Sequence, residues 1–190
     1  LVPTLISTYA GTNHTMFKRT PMDEMQRRDG GIFRNIGVWQ RARYFSSDFT
    51  CKQEIENVRN NVGMLDGSTL GKFRIFGPDA LKALQRVFVS DMSKVKEGRV
   101  KYSAMCNEDG CVIDDGVVAR LGEQHFYFTT TTSGAATVYR ELSRLNTLWR
   151  MDCGIVNHTG AFAGVNVAGP HARQLLATLT NADLDGAAFP

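Results

Sequence analysis

The sequence lacks the cysteine and histidine spacing that a structural zinc site needs. Its four cysteines, Cys51, Cys106, Cys111 and Cys153, include no C-x-x-C pair, and its four histidines are scattered along the chain. We therefore expect no metal site. Cys106 and Cys111 flank a predicted turn, and in a reducing compartment we expect two free thiols there.

The sequence also lacks the segments that mark nucleotide-binding and membrane proteins. It contains no G-x-G-x-x-G and no phosphate-binding loop, so any flavin or nicotinamide chemistry has to be done elsewhere. No apolar run approaches the roughly 20 residues that cross a bilayer. The first residues have neither the basic region nor the apolar core of a signal peptide, and we expect a cytoplasmic location.

An excess of charge of one sign is absent as well. The 22 Lys and Arg residues nearly balance the 19 Asp and Glu residues, and the net charge is +3. Basic residues are mixed with acidic ones almost everywhere, which leaves no basic face for nucleic acid. Hydrophobic residues make up 43% of the chain, as in a globular protein. We expect neither nucleic acid nor a membrane among its partners.

The central stretch, residues 101–121, predicts a β-hairpin. Two apolar runs flank Asn107-Glu108-Asp109-Gly110, and Gly110 accepts the positive φ that such a turn requires. Two adjacent carboxylates, Asp114 and Asp115, interrupt the returning run. Because successive strand residues face opposite sides, the two acids cannot both point outward from one side of a sheet.

The pair of acids has two interpretations. If one side of the strand is core, one carboxylate points inward or into a cleft, where it is costly unless a partner or ligand compensates, and the pair then marks a site. The commoner arrangement is a bulge or a strand end where both acids are solvated, and the spacing alone favours it.

The remaining sequence alternates short helices and strands. Capping residues and periodicity predict helices that start at Thr20-Pro21, cover 52–62, and run from 134 or 135 to about 148, with strands over 71–76 and 124–130. Hydroxyl side chains over 129–133 lie at a strand-to-helix junction, where they cap the helix or bind a ligand's polar edge. No strand has the continuous apolar run of a parallel sheet, so we predict an α+β fold with mostly antiparallel sheets and helices.

One pattern occurs twice. Residues 73–87 recur as residues 165–179, each with a strand, a Gly-Pro turn and an amphipathic helix; the turns are Gly77-Pro78 and Gly169-Pro170. Two copies are too few for a solenoid, and they predict two similar α+β layers.

Several motifs together resemble the folate-binding aminomethyltransferase family, which includes the T-protein of the glycine cleavage system. The longest runs from Tyr102 to Gly110 and continues with Val112-Ile113-Asp114-Asp115. Further matches are Val62-Gly63-Met64-Leu65-Asp66, Leu70-Gly71-Lys72-Phe73, Gly77-Pro78-Asp79-Ala80 and the second Gly-Pro. They extend from about Lys18 to the C-terminus. The resemblance implies the first half of the aminomethyltransferase folate-binding fold.

Within that family the chain is most similar to the α subunits of heterotetrameric sarcosine oxidase. The segments that carry this resemblance are residues 19–22 with 38–45, 68–72, and 121–126 with 129–132. T-proteins carry His-Met where this chain has Thr69-Leu70, and typically Asn where it has Thr131. These differences favour the oxidase branch over a glycine-cleavage T-protein.

The resemblance implies a tetrahydrofolate site. It assigns Asp115 as the catalytic carboxylate beside the reactive nitrogens of the folate, and it implies that Leu70, Tyr102, Val117 and Thr131 line the folate pocket. In the family, Glu, Tyr and Arg residues further along the fold also hold the pterin. This chain ends before them, so the resemblance implies a fragment with an incomplete site.

The resemblance also implies a place in a larger enzyme. Flavin-dependent oxidation of sarcosine to glycine would supply a one-carbon unit that tetrahydrofolate accepts as 5,10-methylenetetrahydrofolate. Flavin, NAD and the other oxidase subunits then belong to parts of the complex outside this chain. The fragment is expected to be inactive alone and to self-associate through exposed apolar surface. The alternatives are a glycine cleavage T-protein, a dimethylglycine dehydrogenase-like folate module, or a non-catalytic structural module.

We expect three segments along the chain. Residues 1–65 form an N-terminal segment and the first part of the first folate-binding domain. Residues 66–150 form a ferredoxin-like α+β subdomain that carries the hairpin with Ile113-Asp114-Asp115. Residues 151–190 return into the first domain and are truncated there.

Overall fold

The structure is a computed structural model in which residues 18–45 and 50–184 are described. The chain divides into two compact units, and the second comprises Gly67–Val165. The first unit holds the described residues up to Asp66 and those from Asn166 onward. We expected the central segment to end at residue 150. The second unit extends to Val165 because Gly154–Asn157 forms a strand within its sheet.

The described residues form ten strands and five α-helices. In chain order these are β1 (Lys18–Arg19), α1 (Asp23–Arg28), β2 (Ile32–Ile36), β3 (Trp39–Tyr44), α2 (Cys51–Asn60), β4 (Gly63–Asp66), β5 (Gly71–Phe76), α3 (Ala80–Val87), β6 (Val100–Cys106), β7 (Val112–Gly122), β8 (His125–Thr130), α4 (Ala135–Leu148), β9 (Gly154–Asn157), β10 (Val165–Ala168) and α5 (Ala172–Ala177). A short 3₁₀ helix covers Met92–Lys94. No helix among these is long and apolar enough to span a membrane.

The first unit contains two small sheets. One has the strand order β1-β3-β2, and β4 pairs with β10 in the other. Helix α1 begins at Asp23 rather than at the predicted Thr20 cap. Thr20 is buried, and its hydroxyl donates a 2.7 Å hydrogen bond to Asp66 Oδ2 instead of capping the helix. The helix ends before Gly30, which has φ +82° and so ends the helix as predicted.

Helix α2 starts with a complete capping box but buries none of its residues. The Thr50 side chain accepts from Gln53 N, and the Gln53 side chain accepts from Thr50 N. The apolar residues of its predicted face stay open, with Ile55 51% and Val58 36% exposed. A cavity of ≈ 530 Å³ in this unit is bordered by further exposed apolar residues, among them Met25, Phe45, Val58, Met64 and Leu65.

The second unit is built on one five-stranded antiparallel sheet with the order β6-β7-β8-β5-β9. Without the edge strand β6, the remaining elements follow the order β-α-β-β-α-β with strands arranged β7-β8-β5-β9, which is the ferredoxin-like arrangement. With its helices, this sheet makes the fold α+β and mostly antiparallel, as predicted. The parallel pairing of β1 with β3 is an exception.

The core of this unit lies on one face of the sheet. The fully buried residues alternate along the strands, as expected when only one side is covered. Helices α3 and α4 cover that side with residues spaced one helical turn apart. The sheet contributes Phe73, Ile75, Met105, Val118, Phe126 and Phe128, and the helices contribute Ala80, Leu84, Val87, Val138, Leu142 and Leu145. Phe128 stacks on Phe73 with ring centroids 5.1 Å apart and meets Phe88 edge-on at 5.9 Å.

The predicted hairpin and the predicted repeat both form. Gly110 has φ +77° in the turn between β6 and β7. Gly77 and Gly169 have φ +120° and +124°, and the carbonyl of each accepts from the first helical amide of α3 and α5 respectively. The two Gly-Pro turns therefore have the same local backbone conformation, which explains why both copies need glycine there. The four cysteines are free thiols.

We expect Phe128→Ala to lower the free energy of unfolding by about 3–5 kcal/mol, because it leaves a cavity between two other aromatic rings. Phe162→Ala is the matched control, since Phe162 is 51% exposed and its loss opens no buried cavity. Urea unfolding of both variants measures the difference. Equal losses would contradict a core centred on Phe128.

We also expect the chain to self-associate, because the exposed apolar residues of the first unit are clustered around one cavity. Met64 and Leu65 are more than half exposed, so Met64→Ser with Leu65→Ser should shift the chain toward monomer without opening the core. Sedimentation velocity over a concentration series tests this. A clean monomer of the unmodified chain at high concentration would count against it.

Candidate functional site

The face of the five-stranded sheet that lies opposite α3 and α4 is open over part of its area. The strand registers place Tyr102 opposite Val117 and Lys72 opposite Thr129 on this face. Tyr102 is 64% exposed and Val117 36% exposed, although both lie in the interior of their strands. We call this surface the open face.

Asp114 points to the covered side of the sheet and is 5% exposed. Its Oδ1 accepts from the backbone amides of Asp115 at 2.8 Å and Thr131 at 3.2 Å, and its Oδ2 accepts from the Thr131 hydroxyl at 3.2 Å. The expectation that both acids are solvated is therefore wrong. A strand that buries one face turns one of two successive residues inward, and Asp114 has the hydrogen bonds that make this burial tolerable.

The loop before α4 is shaped around this carboxylate. A Cβ on Gly134 would overlap Asp114 Oδ2, so the glycine allows the helix start to approach the acid closely. The backbone amide of Gly134 donates to Thr131 Oγ1 at 3.1 Å. The amino end of a helix carries partial positive charge, which favours a carboxylate there. The predicted capping by these hydroxyls is wrong, because Gly134 is the N-cap residue and no side chain caps the helix; the Thr131 hydroxyl stabilises the loop before it.

Asp115 lies on the open face and is half-buried. Its Oδ2 accepts a very short hydrogen bond from the Tyr102 hydroxyl, across one strand pair and diagonally. The bond to the carboxylate raises the pKa of Tyr102 above its usual range, since removal of the phenolic proton would leave two negative charges in contact. Asp115 thus faces solvent with one oxygen held by Tyr102.

The structure brings three of the five predicted site residues together: Tyr102, Asp115 and Val117 share the open face of β6 and β7. Thr131 lies elsewhere, because both its amide and its hydroxyl are directed at Asp114 on the covered side. Leu70 lies at the end of a tight turn just before β5 and is 45% exposed.

Sequence reasoning missed the side chains that hold this turn. Lys72 is 5% exposed, and its Nζ donates to the carbonyls of Ser68 at 2.7 Å and Leu70 at 3.1 Å. Thr69, fully buried, shares a 2.9 Å hydroxyl hydrogen bond with Thr132. A lysine between Gly71 and Phe73 resembles a solvated residue of an amphipathic strand, and no local pattern indicates its burial.

Asp115→Asn should lower the pKa of Tyr102 toward its ordinary value, because the amide removes the negative charge that opposes ionisation. An ultraviolet titration that monitors tyrosinate formation measures this pKa. Comparison with Tyr102→Phe identifies the part of the signal that belongs to Tyr102. Asp109→Asn, in the exposed turn of the same hairpin, is the matched control and should leave the titration unchanged. An unshifted Tyr102 titration in Asp115→Asn would contradict the hydrogen bond.

Comparisons with known proteins bear on the family and the fold. Residues 22–190 match the GCVT N-terminal domain family. The α subunit of sarcosine oxidase from Rhizobium meliloti (strain 1021) is 34% identical over 98% of this chain, which covers 20% of that protein. The corresponding subunit from Corynebacterium sp. (strain P-1) is 40% identical over 90% of this chain and 18% of its own length.

Aminomethyltransferases are similar at a comparable level. The aminomethyltransferase of Geobacillus sp. (strain WCH70) is 35% identical over 92% of this chain and 46% of its own length. The crystal structure of the glycine cleavage system aminomethyltransferase T from Bartonella henselae superposes with a TM-score of 0.75 at 23% identity, over 85% of this chain and 43% of that one. This chain spans about a fifth of the matched oxidase subunits and less than half of the matched aminomethyltransferases. Because the family match covers most of the sequence, and the fold agrees with that of an aminomethyltransferase, the chain belongs to the GCVT N-terminal domain family.

Proposed function

We propose that this chain is the first half of the tetrahydrofolate-binding, aminomethyltransferase-like module of a sarcosine oxidase α subunit. The observation that carries the proposal is the half-buried Asp115 carboxylate on the open face, with Tyr102 bonded to it and the exposed side chain of Val117 beside it. The similarity to two sarcosine oxidase α subunits over at least 90% of the chain supports this branch of the family.

The residues of the open face fit a reduced pterin in their chemistry. The pterin is a flat ring system with several N–H groups, and Asp115 offers a carboxylate that accepts hydrogen bonds. Tyr102 and Val117 offer apolar surface against which such a ring packs. Leu70, at the turn before β5, supplies a further exposed apolar side chain. Thr131 contributes by fixing Asp114, not by lining this face.

Tetrahydrofolate would supply two nitrogens, one in the reduced pterin ring and one outside it, that accept the one-carbon unit of the oxidised amine, and glycine would leave. Asp115 would hold a nitrogen in place through a hydrogen bond, stabilise positive charge that develops there, and accept its proton. Tyr102 would keep one carboxylate oxygen oriented, which leaves the other for the ligand. The sheet, which is rigid and packed on its other side, gives both groups fixed positions, so the two reactants meet without a bimolecular search. Flavin and NAD act in other parts of the proposed complex.

The matched aminomethyltransferases support a second candidate, a glycine cleavage T-protein. Both candidates use the same carboxylate and differ in the source of the one-carbon unit. The whole protein that carries this sequence should produce 5,10-methylenetetrahydrofolate from sarcosine if the first candidate holds. Production only with the aminomethylated carrier protein of glycine cleavage would favour the second.

Asp115→Asn should lower formation of 5,10-methylenetetrahydrofolate by roughly 10²-fold or more, because the amide keeps shape but neither carries charge nor accepts a proton readily. Sarcosine oxidation should persist, with the one-carbon unit released as formaldehyde. The partition of product between formaldehyde and methylenetetrahydrofolate measures the effect in the whole protein. Unchanged partition would mean that Asp115 has no part in the transfer.

Asp114→Asn is the comparison variant, and it should act through stability. It removes the charge from a buried acceptor with three hydrogen bonds, so we expect the free energy of unfolding to fall by about 1–3 kcal/mol. Below its unfolding temperature the variant should keep most of its transfer activity, since Asp114 faces away from the open face. Equal activity losses in both variants would contradict this division of roles.

A further inference from the structure

We propose that Lys72 is a positioning residue for the folate site, and that its buried ammonium holds the turn Gly67–Leu70 so that Leu70 borders the open face. The inference rests on the proposed function for the identity of the ligand. It concerns a lysine that the proposed chemistry does not use.

The first argument is the unusual placement of the ammonium. Lys72 is 5% exposed and lies on β5, with its side chain on the same side of the sheet as Thr129 and Val117. A buried ammonium is costly unless it is hydrogen-bonded. Three backbone carbonyls accept from Nζ: Ser68 at 2.7 Å, Leu70 at 3.1 Å and Thr159 at 3.5 Å. Each of these carbonyls can take a proton of the ammonium, which is a donor only.

The second argument is the construction of the turn. Leu70 N donates to Gly67 O at 3.1 Å, which closes the turn. The Ser68 hydroxyl accepts from Gly164 N at 3.0 Å, and Gly67 N donates to Gly164 O at 2.8 Å. Ser68 is fully buried, whereas Leu70 is 45% exposed. The turn therefore exposes the apolar side chain of Leu70 to solvent, while Ser68 and Thr69 next to it are buried.

The third argument is the position of the Lys72 ammonium within the turn Gly67–Leu70. Nζ bonds the carbonyls on both sides of Thr69, so it holds the backbone immediately before and after that residue. Its bond to Thr159 O joins the turn to the segment that follows β9, and Lys72 N donates to Thr159 Oγ1 at 3.1 Å. Removal of the ammonium would leave these carbonyls without these donors, and the backbone at Leu70 would lose one of the contacts that fix it.

The fourth argument is the relation to Asp115. Lys72 on β5 is paired with Thr129 on β8. The Thr129 hydroxyl accepts from Val117 N on β7, and Val117 is paired in turn with Tyr102 on β6. Lys72 and the strand of Asp115 are thus two strand spacings apart, about 10 Å, on the same side of the sheet. Leu70 directly precedes β5, two residues before Lys72, and the proposal puts its exposed side chain at the edge of the open face.

The test is the affinity of the whole protein for tetrahydrofolate, measured by isothermal titration calorimetry. Lys72→Met keeps the length of the side chain without its donors and should weaken binding roughly 10- to 100-fold, the range that a displaced positioning group produces. The matched control is Lys101→Met, since Lys101 is an exposed lysine of β6 in the same sheet, and it should leave affinity unchanged. Turnover at saturating tetrahydrofolate should stay close to that of the unmodified protein, so the effect falls on KM and not on kcat.

A double-mutant cycle separates positioning from a general loss of stability. Leu70→Ala should weaken tetrahydrofolate binding in the unmodified protein but add little in the Lys72→Met background, because the turn no longer holds Leu70 in place. Fully additive effects of the two substitutions would overturn the proposal.

Amide hydrogen exchange distinguishes a wrong position for Lys72 from a wrong ligand. Lys72→Met should speed exchange at the Leu70 amide selectively, while the amides of β8 keep their protection. If the unmodified protein binds no tetrahydrofolate, the proposed function fails, and selective exchange at Leu70 still decides whether Lys72 orders the turn. Unchanged exchange at Leu70, or uniform acceleration across the sheet, would refute the role of Lys72.

Discussion

A buried carboxylate is stable only where hydrogen bonds replace the water it has lost, and Asp114 meets that condition at the centre of the second unit. Two backbone amides and one hydroxyl donate to it, and the start of α4 lies against it at Gly134. One of those amides belongs to Asp115, so the same bonds that satisfy Asp114 also fix the strand at the neighbouring acid. Asp115 lies on the open face because strand alternation turns it away from Asp114.

Two loops at one end of the sheet are connected through adjacent threonines. Thr131 donates to Asp114, and Thr132 shares a hydrogen bond with Thr69 in the turn that Lys72 holds. The hydrogen bonds around Asp114 and those of the turn Gly67–Leu70 therefore both reach the segment between β8 and α4. Groups that share one network seldom act independently, so substitutions in this segment are expected to affect both.

The features that the sequence predicted correctly are those with local causes. The hairpin at Gly110, the twin Gly-Pro turns and the helix over Ala135–Leu148 follow from backbone freedom and periodicity, which act within a few residues. Strand alternation predicted that one of the two adjacent acids points inward, and that acid is Asp114; the role of Asp115 is implied by the family resemblance alone. Thr131, which bonds Asp114, and Thr159, which bonds Lys72, lie in segments distant in sequence. Thr20 likewise bonds to Asp66 instead of capping α1. Such contacts are set by tertiary packing, which overrides local preference.

The open face of the sheet has a thermodynamic consequence. Large side chains there remain in contact with water, although the opposite side of the same strands is closely packed; they include Val100, Tyr102 and Val117, which are 66%, 64% and 36% exposed. Whatever covers this surface removes apolar area from water, and the heat capacity of the system falls when that happens. Binding at this face should therefore have an enthalpy that becomes more favourable as the temperature rises, and an affinity that passes through a maximum with temperature.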